Sequence, residues 1–155
     1  MAKVQVKGTA TYVCAVPQPS TLTQAQFEAL EWELICCTTN NPSFSQEAEV
    51  IEEFCVSGEA VVFTGAAAGA ESEMSVMYDD DCEGQAILRG AFEGQPLAFK
   101  KELSNGTLTT TPTTIYARAL VTGFPDDDGE VNDIVVHSYN LKLVQPPIFV
   151  APEAI

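Results

Sequence analysis

No lysine or arginine occurs between Lys7 and Arg89, whereas fourteen carboxylates fall in residues 8–88. The first seven residues carry +2 and residues 89–155 carry −3, so nearly all of the formal net charge of −15 belongs to this one block. A stretch of that kind cannot neutralise itself by internal ion pairing. It reads first as a solvated acidic face that keeps the chain soluble, and more sharply as a surface that repels polyanions or faces a basic partner. Within the block, Met74, Val76 and Tyr78 alternate with Glu71, Glu73 and Ser75. That two-residue period predicts a half-buried strand with one apolar and one acidic face.

The remaining bounds follow from size and content. A chain of 155 residues with 46% hydrophobic content can bury a real core and is expected to form a single domain over 1–155. Its apolar content argues against disorder. No run approaches the roughly 20 apolar residues that cross a bilayer, residues 1–7 lack a signal-peptide core, and no membrane insertion by this chain is expected. The seven cations are scattered, which excludes a basic patch that grips nucleic acid.

Read along the chain, residues 4–16 are rich in β-formers and end at Pro17 and Pro19. Thr21-Leu22-Thr23-Gln24 has the form of a helix start, with Phe27 and Leu30 as neighbours on a short helix at 22–30. Trp32, Leu34, Ile35, Cys36 and Cys37 read as a buried strand closed by Asn40-Asn41-Pro42, which makes Trp32 and Leu34 candidate core residues. Residues 47–54 fit helix or irregular structure equally; Val61-Val62-Phe63 is strand-like, and Gly65 to Ala70 reads as a small-residue loop. Asp79-Asp80-Asp81 then places carboxylates where a helix N-terminus favours them. Ile87 with Ala91 and Leu88 with Phe92 form the packing stripe of that helix, stopped by Gly94 and Pro96. The rest is β: a strand with Phe99 and Leu103 as candidate core, then about 113–122, then about 131–144. Asp126 to Gly129 form an acidic turn, and Ile148-Phe149-Val150 a short extra strand.

The residues offer little chemistry. His137 is the sole histidine and lies mid-strand beside Val135, Tyr139 and Leu141, with no serine or cysteine motif to make it a base. Carboxylate pairs are too abundant to single out a dyad. Asp126 to Glu130 and Asp79 to Asp81 are oxygen-rich, but neither has calcium-loop spacing; they read as a turn and a helix cap. The glycines at 65 and 69 lack the Lys-Ser/Thr of a phosphate loop. Five cysteines without C-x-x-C or zinc spacing read as free thiols in a reducing compartment. No catalytic residue, metal or cofactor is expected, and the chain reads as no enzyme.

Four segments in order carry a resemblance. They are Thr21 to Trp32; Asp79-Asp80-Asp81-Cys82-Glu83-Gly84-Gln85-Ala86-Ile87-Leu88, with its GQ-x-x-L helix; Leu97-Ala98-Phe99-Lys100-Lys101-Glu102-Leu103; and Tyr116 to Val121, followed by Asn132 to Val136 and Leu141 to Leu143. Over about residues 4–150 the chain resembles the tail tube (major tail) proteins of long-tailed bacteriophages and phage-like gene transfer particles. It departs from their pattern at 65–70 and at Cys36-Cys37.

The resemblance implies a mainly β fold, an antiparallel β-sandwich or half-barrel with one flanking α-helix, whose sheets join into a barrel in a ring. It implies a structural virion protein, assembled in the host cytoplasm and located in the tail. Hexameric rings would stack into the channel for DNA ejection, with double-stranded DNA as transient cargo. A tape measure protein would occupy the tube during assembly, and tail terminator and baseplate or tail-tip proteins would bound it. Residues 1–12 would be an N-terminal arm and 146–155 a C-terminal tail; by position, 1–12 and about 43–70 would meet neighbouring rings. Glu71 and Glu73 become candidate lumen-facing carboxylates, with the outer wall an equally open placement. The alternatives are another small β-fold virion protein such as a capsid decoration protein, and a calcium-dependent β-sandwich binding module.

Overall fold

A computed structural model describes residues 8–44, 46–54, 58, 60–69, 71–91, 94–123, 126–127 and 135–154. In chain order its elements are β1 (Ala10–Val13), α1 (Gln24–Glu28), β2 (Glu33–Leu34), β3 (Thr38–Asn40), β4 (Gln46–Phe54), β5 (Ala60–Gly69), β6 (Glu71–Met77), α2 (Glu83–Gly90), β7 (Leu97–Glu102), β8 (Thr114–Gly123), β9 (Asp126–Asp127), β10 (Val136–Leu143) and β11 (Ile148–Val150). Nine strands form one sheet in the order β2-β1-β7-β8-β10-β6-β3, with β11 added to β8 and β9 to β10. Every pairing is antiparallel, and β4 and β5 make a separate two-stranded sheet. The large sheet is open, with the short strands β2 and β3 at its two edges.

Strand alternation sorts the side chains onto two faces. On one face Val13, Met74, Val76, Phe99, Ala117, Val121, Tyr139 and Leu141 pack with Leu88 of α2, with Ala91 at its C-cap and with Ile35. On the other, Ala98 and Tyr116 meet Phe27 of α1, whose ring stacks on Tyr116 at 5.3 Å. Both expected helices are thus present, on opposite faces of the sheet. Helix α1 starts two residues later than the expected 22 and ends at Glu28. The capping box runs from Thr23, whose hydroxyl accepts from the Gln26 N–H at 3.4 Å, to the Gln26 side chain, which accepts from the Thr23 N–H at 2.8 Å.

Three local expectations are corrected. Residues 46–54 and 60–69 form the paired strands β4 and β5, from Gln46 opposite Gly69 to Phe54 opposite Ala60. Carboxylates at both odd and even positions of 46–54 hide any two-residue period, and alanine and glycine are poor β-formers whose extended state here follows from cross-strand pairing. The buried strand expected over 32–37 is instead the two-residue β2, a turn at Cys36-Cys37 and then β3, with Cys37 in the left-handed region at φ 57°. Leu34 accordingly lies 46% exposed on the edge strand, and its neighbour Ile35, 2% exposed, enters the core in its place.

The cysteines are the third correction. Cys36 and Cys82 are joined in a disulfide across 46 residues, whereas Cys14 is buried and free and Cys37 exposed and free. The bridge ties the β2–β3 turn to the N-terminus of α2. Its loss, by Cys36→Ser or by reductant, is expected to lower the unfolding free energy by about 2–4 kcal/mol through the loop it closes. Urea midpoints with and without dithiothreitol test this; identical midpoints would contradict it.

The C-terminal segment pairs back onto the sheet and the 103–113 turn. Strand β11 pairs with the start of β8, and Thr110 bridges to Ala154. Expectations for residues 1–7, 92 and 128–134, including Phe92 in the helix stripe, lie outside the described residues.

Candidate functional site

The sheet face opposite the α2 core is polar over the β6–β10 half. In β6, Glu71 and Glu73 are exposed while Met74 and Val76 are fully buried, so the expected alternation is present. The register sets Lys142 opposite Glu71, Asn140 opposite Glu73 and Ser138 opposite Ser75. Hydroxyls tie this face together: Thr122 donates to Glu71 Oε1 at 3.0 Å, Ser75 and Ser138 share a hydrogen bond at 3.0 Å, and Ser75 donates to Glu73 at 3.4 Å. Asn40 from β3 donates to the Glu73 carbonyl at 3.2 Å.

The result is a strip of two carboxylates, one lysine and small polar groups on paired strands. Lys142 was visible as a residue, but its place across from Glu71 depends on a pairing that no local pattern specifies. The strip therefore carries both signs, with the carboxylates in excess.

Behind this sheet, a clamp holds α2. Gln85 is fully buried; its Nε2 donates to the Cys36 and Met77 carbonyls, both at 2.9 Å, and its Oε1 accepts from the Asp79 N–H at 3.0 Å. Gly84 is buried because the helix touches the β2 backbone there: a Cβ would lie 2.8 Å from the Leu34 carbonyl carbon. Leu88 is fully buried, Ala91 nearly so, and Ile87 packs partly buried against the core. Each defined position of the GQ-x-x-L segment thus has a physical task. The Asp79 to Asp81 run precedes the helix rather than capping it: Cys82 is the N-cap, without a side-chain cap bond, and Glu83 is the acidic residue of the first turn.

The other candidate core residues divide. Phe99 is fully buried, Trp32 packs partly buried with its ring 6.0 Å from Tyr116, and Leu103 is half-buried. Around Trp32, Lys100 Nζ lies 4.5 Å from the Tyr12 ring centroid and 5.4 Å from that of Trp32, and pairs with Glu102 at 3.2 Å. Burial, then the nearby carboxylate of Glu102, raises the Tyr12 phenol above its ordinary value; burial, then Glu28 and Glu102, does the same at Tyr116. Burial alone lowers the Lys101 ammonium, which donates to the Pro42 carbonyl at 2.9 Å.

The His137 ring packs tilted against Tyr78, with centroids 4.9 Å apart and planes at 49°. Among the described residues no group of three or more His, Cys, Asp or Glu side chains is placed to hold a metal, and no helix is long and apolar enough to cross a membrane.

The fold is thus an open antiparallel sheet with α2 on one face, and with α1 beside a polar β6–β10 half on the other. Solved structures share it over nearly the whole chain. The sheath/tube terminator of the PVC extracellular contractile injection system, in its extended state, superposes with a TM-score of 0.68 at 13% identity, covering 97% of this chain and 99% of that one. The SPP1 tail tube gives 0.66 at 13% identity, covering 95% and 78%. The tail of an empty GTA particle, refined helically with C6 symmetry, gives 0.64 at 13% identity, covering 95% and 98%. No protein-family model and no curated protein sequence matches the chain.

Proposed function

We propose that this chain is a structural tube subunit of a virion tail, with no catalytic role. Copies join edge to edge into hexameric rings, and the rings stack into a channel for DNA. One observation carries this reading: the nine-stranded sheet is open at both edges and presents exposed carboxylates on its β6–β10 half, opposite the α2 core. An open sheet with unpaired edges is an association hazard, which closure into a shared barrel removes. The sixfold symmetry of the GTA tail, on the same fold, supports the ring number.

In such a ring the face with Glu71, Glu73, Ser75 and Asn140 lines the channel. Carboxylates and small hydroxyls give the duplex phosphates little to adhere to, the reverse of a lysine-lined groove. A tape measure protein occupies the channel during assembly; terminator and baseplate or tail-tip proteins close the tube's ends. The β4–β5 hairpin and the chain ahead of β1 reach neighbouring rings, while residues 10–12 of the expected arm belong to the sheet.

Negative-stain microscopy of the concentrated protein is expected to show hollow tubes or rings with a central hole. Compact trimers would instead indicate a capsid decoration protein, and a calcium-dependent rise in melting temperature a binding module. Glu71→Lys with Glu73→Lys is expected to leave tube assembly intact and to slow DNA delivery by particles that carry it. Unchanged delivery kinetics would remove the repulsive role from these two residues.

A further inference from the structure

Stacking copies of a chain with net charge −15 sets an electrostatic problem, and the fold holds two segments without charged side chains at opposite ends of the same strands. Residues 103–117 contain no charged side chain, and neither do residues 8–27. The register Ala10 opposite Glu102 and Val13 opposite Phe99 puts the 103–113 turn at one end of β1 and β7. The bonds from Cys14 N–H to the Ala98 carbonyl and from Gln18 N–H to the Pro96 carbonyl put residues 14–18 at the other. Strand β7 separates them by roughly 20 Å.

The first end presents a knob. Leu108 is 99% exposed, yet its turn is tightly bonded. The Thr107 hydroxyl accepts from the Thr110 N–H at 3.0 Å, Thr107 N–H donates to the Thr110 carbonyl at 3.0 Å, and Thr111 N–H donates to the Glu153 carbonyl at 2.8 Å. Across the base of the turn, Asn105 accepts from the Thr113 N–H at 2.8 Å. A leucine fixed in water by a preorganised turn costs little to dock.

The second end presents a hollow of about 240 Å³ between the exit of β1 and the end of α1, lined by Cys14, Ala15, Val16, Ala29 and Leu30. Val16 at its mouth is 63% exposed. Gln18, Glu31 and Glu33 line it as well, and a turn whose own residues carry no charge is a segment the two carboxylates do not repel.

We propose that Leu108 of one copy seats in this hollow of the next copy along the tube axis. The contact is heterologous and does not close, so it propagates a filament, as stacking requires. The inference rests on the tube reading and assigns that reading an axial contact.

The test uses the full chain. Leu108→Asp and, separately, Val16→Asp are each expected to raise the critical concentration for tube formation by about tenfold or more, with the monomer melting temperature unchanged. Both side chains are exposed, so neither change disturbs the core. In a Cys37→Ser background, Leu108→Cys combined with Val16→Cys is expected to give, on mild oxidation of tubes with oxidised glutathione, a covalent ladder longer than six copies. Exchange through glutathione disulfide forms each cross-link and releases two molecules of glutathione. Wild-type critical concentrations in both aspartate variants, a ladder that stops at six, or no ladder in intact tubes would overturn the contact and leave the tube reading standing. Failure of the wild type to form tubes would overturn both.

Discussion

Replacing Gln85 by leucine is expected to remove about 4–6 kcal/mol of stability, although the two side chains are close in volume. The amide is fully buried and bonds three backbone groups: the Cys36 and Met77 carbonyls and the Asp79 N–H. A leucine leaves all three without a partner in a dry site, and each buried orphan costs about 1–3 kcal/mol. The three groups lie on the β2–β3 turn, the end of β6 and the loop into α2, so one side chain holds three segments in place. Since a domain of this size is stable by only about 5–15 kcal/mol, the variant should sit near its unfolding threshold. Urea unfolding measures the loss, with exposed Gln24→Leu as a control expected within about 0.5 kcal/mol of wild type. A Gln85→Leu loss under about 1 kcal/mol would contradict the clamp.

Gly84→Ala is the second large effect, and its sign runs against helix propensity. In an open helix position alanine is better than glycine by up to about 1 kcal/mol. At Gly84 the new Cβ would meet the Leu34 carbonyl group and approach Ile35 Cα to 3.0 Å, all of it backbone. Helix and edge strand must then separate, breaking the Gln85 bonds beside them and straining the Cys36–Cys82 bridge region, for an expected net loss of about 3 kcal/mol. Gly90, at the other end of the same helix, meets nothing within 4 Å of an added Cβ. Gly90→Ala is therefore expected to stabilise by about 0.5 kcal/mol. Opposite signs at two glycines six residues apart are a stringent check, because propensity alone assigns both the same sign.

How far the fold was legible depends on where the information lay. The strands around Phe99, Val121 and Tyr139 were readable as β-structure, although only the last alternates plainly in burial, and the Ile87, Leu88 and Ala91 stripe was readable as a helix. The contrast of Glu71 and Glu73 with Met74 and Val76 was likewise readable, because one face is buried and the other wet. What escaped depended on contacts between distant segments. The Cys36–Cys82 bridge joins residues 46 apart, and nothing in the spacing of five cysteines marks that pair. Leu34 and Ile35 are both apolar, and only the turn at Cys37 decides which of them faces inward. The tasks of Gly84 and Gln85 are set by the β2 backbone they touch, so the motif could be quoted before it could be explained. Lys142 reaches the acidic strip through the β6–β10 register, and only the pairing reveals it.

That register also limits the electrostatic claim. Lys142 opposite Glu71 makes the strip weakly rather than strongly anionic, so its proposed task is to avoid holding DNA rather than to drive it along. The many carboxylates that first drew attention to residues 8–88 do not all share this face: Glu28, Glu31 and Glu33 belong to α1, its exit and β2, at the other edge of the sheet from β6.

The most direct measurement is a helical cryo-electron microscopy reconstruction of the assembled protein. The expected map shows sixfold rings whose sheets continue from one subunit to the next, with Glu71, Glu73 and Ser75 facing the central channel and α2 on the outside. Rings with α2 toward the channel and Glu71 and Glu73 on the outer wall would contradict the account.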